Sequence, residues 1–165
     1  MSFQDKVAFV AGAGGGMGLA IANSLISAGC HVGMADVKPS PDDIIPGPGQ
    51  SLYHEGNLTD DAFVQSSITD TVNAFGKLDY LVNTTGVLWF DHDKSVVDMD
   101  MDVWDQVMAI NLKSFALTSR HAIPHMQKNG GGAMVHCSSV DATGGDAPSQ
   151  DAYGASKAGV IRLAK

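Results

Sequence analysis

The chain has 165 residues, 44% of them hydrophobic, with a formal net charge of −8 and a pI near 4.9. That length and apolar content suit one domain with a buried core, and an acidic balance without a basic cluster argues against a nucleic-acid surface. No apolar run approaches the ~20 residues of a membrane span, and no charged n-region with an apolar h-region opens the chain, so no membrane partner and a cytoplasmic location are expected.

Residues 6–11 form a short apolar run that reads as a first strand and ends in Gly12-Ala13-Gly14-Gly15-Gly16-Met17-Gly18. Leu19, Ala20, Ile21, Ala22, Leu25 and Ile26 then follow at amphipathic spacing. Strand, glycine loop and helix start make a phosphate cradle. Glycine lets backbone approach a ligand, and the helix N-terminus offers unpaired N–H groups with a partial positive charge. A second strand over residues 30–35 ends at Asp36. An acidic residue about 20 positions past the glycines is where a dinucleotide fold holds the adenine ribose hydroxyls.

Pro39, Pro41, Pro46 and Pro48 exclude a regular helix over residues 38–50 and mark an exposed connection. Residues 51–55 read as a third strand, leading to Gly56-Asn57-Leu58-Thr59. Residues 60–75 read as a helix, with Phe63, Ile68 and Val72 at helical spacing and Gly76 at its end. A fourth strand over residues 78–82 stops at Asn83-Thr84-Thr85-Gly86, and Trp89 and Phe90 beyond it fit a pocket lining or an ordinary packing contact equally. Asp98-Met99-Asp100-Met101-Asp102 looks like the opening of a calcium loop. Val103 stands where that loop needs glycine and Ala109 where it needs glutamate, so an acidic helix start is the reading and no metal is expected.

Residues 103–126 form the longest helical stretch, with Val107, Ile110, Leu112, Phe115 and Leu117 among its apolar positions and His121 and His125 read as surface residues. Gly130-Gly131-Gly132 breaks it, and residues 133–137 read as a fifth strand ending at Ser138-Ser139. Cys30 and Cys137, both in predicted buried strands, read as small core residues. Apolar strands separated by helices predict a parallel sheet covered on both faces, a doubly wound α/β fold of three layers. Ligands in such sheets bind outside the carboxyl ends of the strands, where Gly12, Asp36, Asn57, Asn83 and Ser139 all fall.

Tyr153-Gly154-Ala155-Ser156-Lys157 follows, in a stretch without proline from Ala155 to Lys165 that reads as helix. Tyrosine and lysine four apart share one helical face. A phenol titrates near ~10 in isolation, and a fixed positive charge beside it favours the phenolate, so such a pair can move a proton near neutral pH.

With these residues assembled, the chain resembles the short-chain dehydrogenase/reductase family in its common NAD(P)-dependent, Rossmann-type form, from Lys6 to Lys165. The family's Thr-Gly-x-x-x-Gly-x-Gly corresponds to Ala11-Gly12-Ala13-Gly14-Gly15-Gly16-Met17-Gly18. Its Asp-Val adenine contact corresponds to Asn57-Leu58, and its Asn-Asn-Ala-Gly to Asn83-Thr84-Thr85-Gly86. The catalytic asparagine, serine, tyrosine and lysine correspond to Asn111, Ser139, Tyr153 and Lys157.

The resemblance implies cofactor contacts at Gly12, Gly16, Met17, Asp36, Asn57, Leu58, Asn83, Tyr153 and Lys157. It implies hydride transfer between a nicotinamide ring and the carbon of a small secondary alcohol or ketone. Tyr153 would move the alcohol proton, and Lys157 would lower the phenol's pKa and bind the nicotinamide ribose. Ser139 would orient the substrate oxygen, and Asn111 would hold a water in a proton relay. The Asp36 carboxylate would repel a 2′-phosphate, so NAD is expected over NADP despite Lys38 nearby. Asp141, Asp146, Trp89 and Phe90 are the local hints to substrate, and a homo-oligomer is implied for the full-length form.

Three departures from the pattern stand out. Ala11 lacks a hydroxyl that in the family ties the loop to its neighbours, Asn57 keeps an amide oxygen able to accept from the adenine amino group, and Thr85 adds bulk beside the cofactor. Family members also continue past the position of Lys165 with two further strands, a Pro-Gly loop and a segment that closes over substrate. The expectation is one dinucleotide-binding domain over residues 1–165, incomplete at its C-terminus, with the fifth strand left as an edge. The alternative to an enzyme is a catalytically inert dinucleotide-binding or dimerising fragment. The intact tetrad favours the enzyme and the missing closing segment favours the fragment.

Overall fold

The structure, a computed structural model, describes residues 3–145 and 147–165; Asp146, one of the substrate hints, lies outside the described residues. Strand β1 (Val7–Ala11) is buried at every position because it has a core on each side. Val7, Phe9 and Ala11 pack with Val64, Ile68, Leu117 and Met126 on one face. Ala8 and Val10 pack with Ala22 and Ile26 on the other. That is why the strand reads as a continuous apolar run rather than an alternation.

β1 pairs in parallel with β2 (His31–Asp36) and with β4 (Tyr80–Asn83), while β3 (Ser51–Glu55) and β5 (Ala133–His136) pair outside them, giving the order β3-β2-β1-β4-β5. Helix α1 (Gly16–Ser27) covers one face. α2 (Asp61–Phe75) and α4 (Ser114–Lys128) cover the other. The result is the expected three-layer, doubly wound α/β architecture.

Local signals explain most boundaries. α2 opens on Asp60, whose side chain accepts from the N–H groups of Ala62 and Phe63, and closes on Gly76 in the left-handed region. The proline-rich connection has no helix and is held by Asn23, which donates to the Asp43 carbonyl and accepts from the Ile45 N–H. At the opposite edge of the sheet the Asp79 carboxylate accepts from the Val7 N–H at 2.9 Å and pairs with Lys6 and Lys77.

Several expectations need correcting. The single helix over residues 103–126 is three pieces: α3 (Met101–Met108), a π-helical turn (Ala109–Lys113), and α4. Wide turns of this kind concentrate at functional sites, and Asn111 sits in this one. α5 (Asp151–Leu163) begins before Tyr153, which therefore lies in its first turn. His121 is no mere surface residue, since its Nε2 meets Asp61 Oδ1 at 2.8 Å and ties α4 to α2. Cys137 falls one residue beyond β5 and is only half-buried, whereas Cys30 is buried as expected. β5 is an edge strand with Met134 and Val135 exposed.

Ile68 is fully buried between α2 and the sheet. Ile68→Ala is expected to cost about 2–5 kcal/mol of stability, the range for truncating a buried aliphatic side chain. Urea unfolding monitored by circular dichroism measures this, and a loss well under about 1 kcal/mol would contradict the packing described.

Candidate functional site

Beyond the carboxyl edge of the sheet lies a cleft of about 740 Å³ whose walls include Gly12, Gly16, Met17, Asp36, Asn57, Leu58 and Gly86. Its shape depends on glycine. Gly12 has φ +85, and a Cβ there would stand 2.6 Å from the backbone nitrogen of Thr85. A Cβ on Gly18 would stand 2.0 Å from the Gly12 carbonyl oxygen. The loop and the first turn of α1 are thus in direct backbone contact, which no side chain permits.

Asp36 ends β2 at the cleft. One carboxylate oxygen accepts from the Gly14 N–H at 2.9 Å and the other from the Lys38 N–H at 3.0 Å. A carboxylate has about four acceptor sites, so these two bonds orient the group and leave it able to accept from hydroxyls.

The missing hydroxyl at Ala11 is supplied from the next strand. Thr84 Oγ1 donates to the Ala11 carbonyl at 2.9 Å, with the Gly12 carbonyl 3.2 Å away. Threonine beside the fourth strand's end was visible in the sequence, but its partner 73 residues earlier was not. The neighbouring Thr85 lines the cleft, and its hydroxyl is buried without a protein partner.

Two expected cofactor contacts are engaged elsewhere. Asn83 is buried, accepting from Thr118 Oγ1 at 2.9 Å and meeting His136 Nδ1 through its amide nitrogen at 2.9 Å. It locks β4 to β5 and α4 instead of facing the cleft. Asn57 does line the cleft, but its amide oxygen accepts from both the N–H and the hydroxyl of Thr59. The oxygen expected to meet an adenine amino group is committed to a local turn. Leu58 is largely core, and Met17 is 56% exposed at the cleft wall.

Lys157 is 4% exposed. Its Nζ donates to the Cys137 carbonyl at 3.0 Å and lies 5.2 Å from the centre of the Phe115 ring and 5.8 Å from that of Tyr153. A Cβ on Gly86 would stand 3.3 Å from this Nζ and 3.5 Å from Asn111 Oδ1, so amine and amide both lie against the Gly86 stretch of the cleft wall. Burial holds the Lys157 ammonium below the usual lysine value, and a weaker interaction with Cys137 opposes it.

Asn111 accepts from the Val87 N–H at 2.8 Å and donates to the Val87 carbonyl at 2.9 Å. Its side chain therefore clamps the segment after β4, with one acceptor site on Oδ1 and one N–H left over. Ser139 caps a one-turn 3₁₀ helix (Val140–Ala142), accepting from the Asp141 N–H and donating to the Asp141 carboxylate. Ser138 ties this corner to α5 by donating to the Lys157 carbonyl at 2.8 Å.

A second hollow of about 440 Å³, with Val96, Trp104, Asp141 and Gln150 in its walls, flanks this corner. Trp89 packs against the Met99, Val107 and Ala152 cluster, while Phe90 is exposed.

The folded-state pKa of Lys157 lies below the ordinary lysine value of 10.5. The unfolded chain then binds more protons between the two values, so stability rises with pH in that window and the cost is fully present below it. The stability of the wild type relative to Lys157→Met is expected to rise as the pH is raised toward the ordinary lysine value, read by urea unfolding at each pH. A difference that stays constant would contradict the burial of this charge.

Comparisons with known proteins agree with the geometry. The family model described as short chain dehydrogenase matches residues 6–165. The chain is 33% identical over 168 residues to cis-4-hydroxycyclohexanecarboxylate dehydrogenase of Sinomonas cyclohexanicum, covering 99% of this chain and 66% of that one. It is 32% identical over 169 residues to D-β-hydroxybutyrate dehydrogenase of Rhizobium meliloti, covering 98% and 64%. The crystal structure of an NADH-dependent reductase complexed with NAD superposes with a TM-score of 0.86 at 25% identity, covering 98% of this chain and 70% of that one. The chain thus spans about two thirds of the length of the curated relatives it matches. A doubly wound sheet, a glycine-walled cleft at its switch point and a match over residues 6–165 lead to one conclusion: the chain belongs to the short-chain dehydrogenase family.

Proposed function

We propose that the protein is an NAD-dependent oxidoreductase that interconverts a secondary alcohol and a ketone. Buried Lys157 and Asn111 both lie against Gly86 in the wall of the cleft that Asp36 also lines, with the Lys157 amine 5.8 Å from the centre of the Tyr153 ring, and this supports the reading most directly.

The cleft suits an adenine dinucleotide. Gly12 and Gly18 let the loop lie close against Thr85 and the first turn of α1, nothing stands within 4 Å of a Cβ position at Gly16, and the unpartnered Thr85 hydroxyl offers a polar contact. Asp36 would accept from ribose hydroxyls and repel a 2′-phosphate, which favours NAD over NADP. Gly12, Gly16, Met17 and Leu58 would contact the cofactor through backbone and apolar surface. Asn57 would take part through its amide nitrogen, and Asn83 only by fixing the end of β4.

A nicotinamide cofactor supplies the hydride acceptor or donor when bound. Tyr153 takes the alcohol proton in oxidation and returns it in reduction. Lys157, held beside that phenol and more willing to release a proton than an exposed lysine, passes the proton onward and donates to the ribose. Ser139 orients the substrate oxygen and steadies charge developing on it. Asn111, its side chain clamped on Val87, would hold the water that carries the proton from Lys157 to solvent. The two named relatives act on hydroxy acids, so small hydroxy acids are the first substrates to try, and a homo-oligomer is the expected assembly.

Tyr153→Phe is expected to abolish oxidation of cis-4-hydroxycyclohexanecarboxylate, D-β-hydroxybutyrate or another secondary alcohol, while NAD affinity stays within about three-fold. Steady-state kinetics and calorimetry measure both, and a variant keeping about a tenth of the rate would exclude the phenol as proton-transfer group.

Asp36→Ala is expected to weaken NAD binding about ten-fold, the worth of a charge-assisted hydrogen bond, and to narrow the gap to NADP. Tighter binding of NADP than of NAD by the unaltered protein would overturn the assignment of Asp36.

A further inference from the structure

Asp93 is 1% exposed, and its carboxylate meets no lysine, arginine or histidine within ion-pair distance among the described residues. Its two oxygens accept from the backbone N–H groups of Ala152 at 3.1 Å and Tyr153 at 2.8 Å. These belong to the first turn of α5, whose N–H groups have no partner within the helix, and the residue preceding the helix, Gln150, gives no side-chain cap. Asp93 thus supplies from 59 and 60 residues away what a capping residue normally supplies locally.

The contact is reciprocal. Asp151 accepts from the Val96 N–H at 2.8 Å, and its own N–H donates to the Lys94 carbonyl at 3.2 Å. A turn in which the Trp89 carbonyl accepts from the N–H groups of His92 and Asp93 presents the carboxylate to the helix. The other end of the segment is equally fixed, by Thr84 to the glycine loop and by Asn111 to Val87. Residues 84–96 therefore form a brace running from the cleft wall to the first turn of α5, bound by hydrogen bonds at both ends.

We propose that Asp93 is a positioning residue: by gripping the amides of Ala152 and Tyr153 it sets the height and rotation of α5, and so the place of the Tyr153 phenol and the Lys157 amine relative to the cleft. This rests on the role given to Tyr153 above. A carboxylate suits the task because it turns an acceptor to each of the two N–H groups. An asparagine would offer one acceptor and face the other N–H with its own NH₂.

The test uses the protein as its gene encodes it, with Asp93→Ala, Asp93→Asn, Tyr153→Phe and the core variant Ile68→Ala. Rates are taken with NAD and the alcohol oxidised fastest in the panel above, at a temperature where every variant is folded. Displacing reacting groups by about an ångström costs on the order of a hundred-fold in rate. Asp93→Ala is accordingly expected to lower kcat about 20-fold or more, with the Kd for NAD within about three-fold of wild type. Asp93→Asn should recover part of that loss, and amide exchange at Ala152 and Tyr153 should accelerate in the alanine variant.

Ile68→Ala should lose stability without this split between kcat and Kd. An Asp93→Ala kcat within about two-fold of wild type, or a loss no larger than that of Ile68→Ala, would overturn the proposal while leaving Tyr153 in its role. Retention of rate by Tyr153→Phe would overturn the phenol's role first, and this proposal with it.

Discussion

β1 is hydrogen-bonded in parallel to β2 on one side and to β4 on the other, and this double pairing decides where a ligand sits. The chain leaves β1 toward β2 and β3, then crosses back to β4 and β5. The connections after β1 and β4 therefore depart in opposite directions and leave a gap at the carboxyl edge. Gly12 comes from one side of that gap and Thr84, Thr85 and Gly86 from the other. Loss of either pairing would remove a wall.

The two edges of the sheet treat charge differently. At the amino edge Asp79 has two lysines and a backbone N–H, an arrangement already neutralised. On the helical layer Asp61 meets His121 Nε2 at 2.8 Å. At the carboxyl edge the hydrogen-bond partners of the charged groups of Asp36, Asp93 and Lys157 are, among the described residues, backbone groups. Backbone dipoles orient these charges without a counter-ion among the described residues.

The strands, the glycine loop, the acidic end of β2 and the Tyr-Lys helix were legible because each is written in local pattern: apolar runs, glycine spacing, an i,i+4 pair. The π-helical turn was not, since a wide turn leaves the apolar spacing of a long helix nearly unchanged. Side-chain direction was equally hidden. Asn83 and Asn57 stand at strand ends, as predicted, yet their amides serve His136, Thr118 and Thr59. An apolar run includes Cys137 and so reads as core, while the pairing of β5 stops one residue earlier. Asp93 carried no signal at all, because its partners are distant in sequence and are backbone groups, which any residue supplies.

The hydroxyl of Thr84 has a consequence for how this chain can change. It has one proton, directed at the carbonyls of Ala11 and Gly12, while Ala11 is buried against Phe9 and Leu81 in a filled core. A threonine placed at position 11 would have to find room there, and its hydroxyl would compete for acceptors already taken. Removing the Thr84 hydroxyl alone would leave the loop untied. The two positions are therefore interdependent, so the effect of a substitution at one is set by what the other holds, and single steps between the family's arrangement and this one are costlier than the exchange of both together.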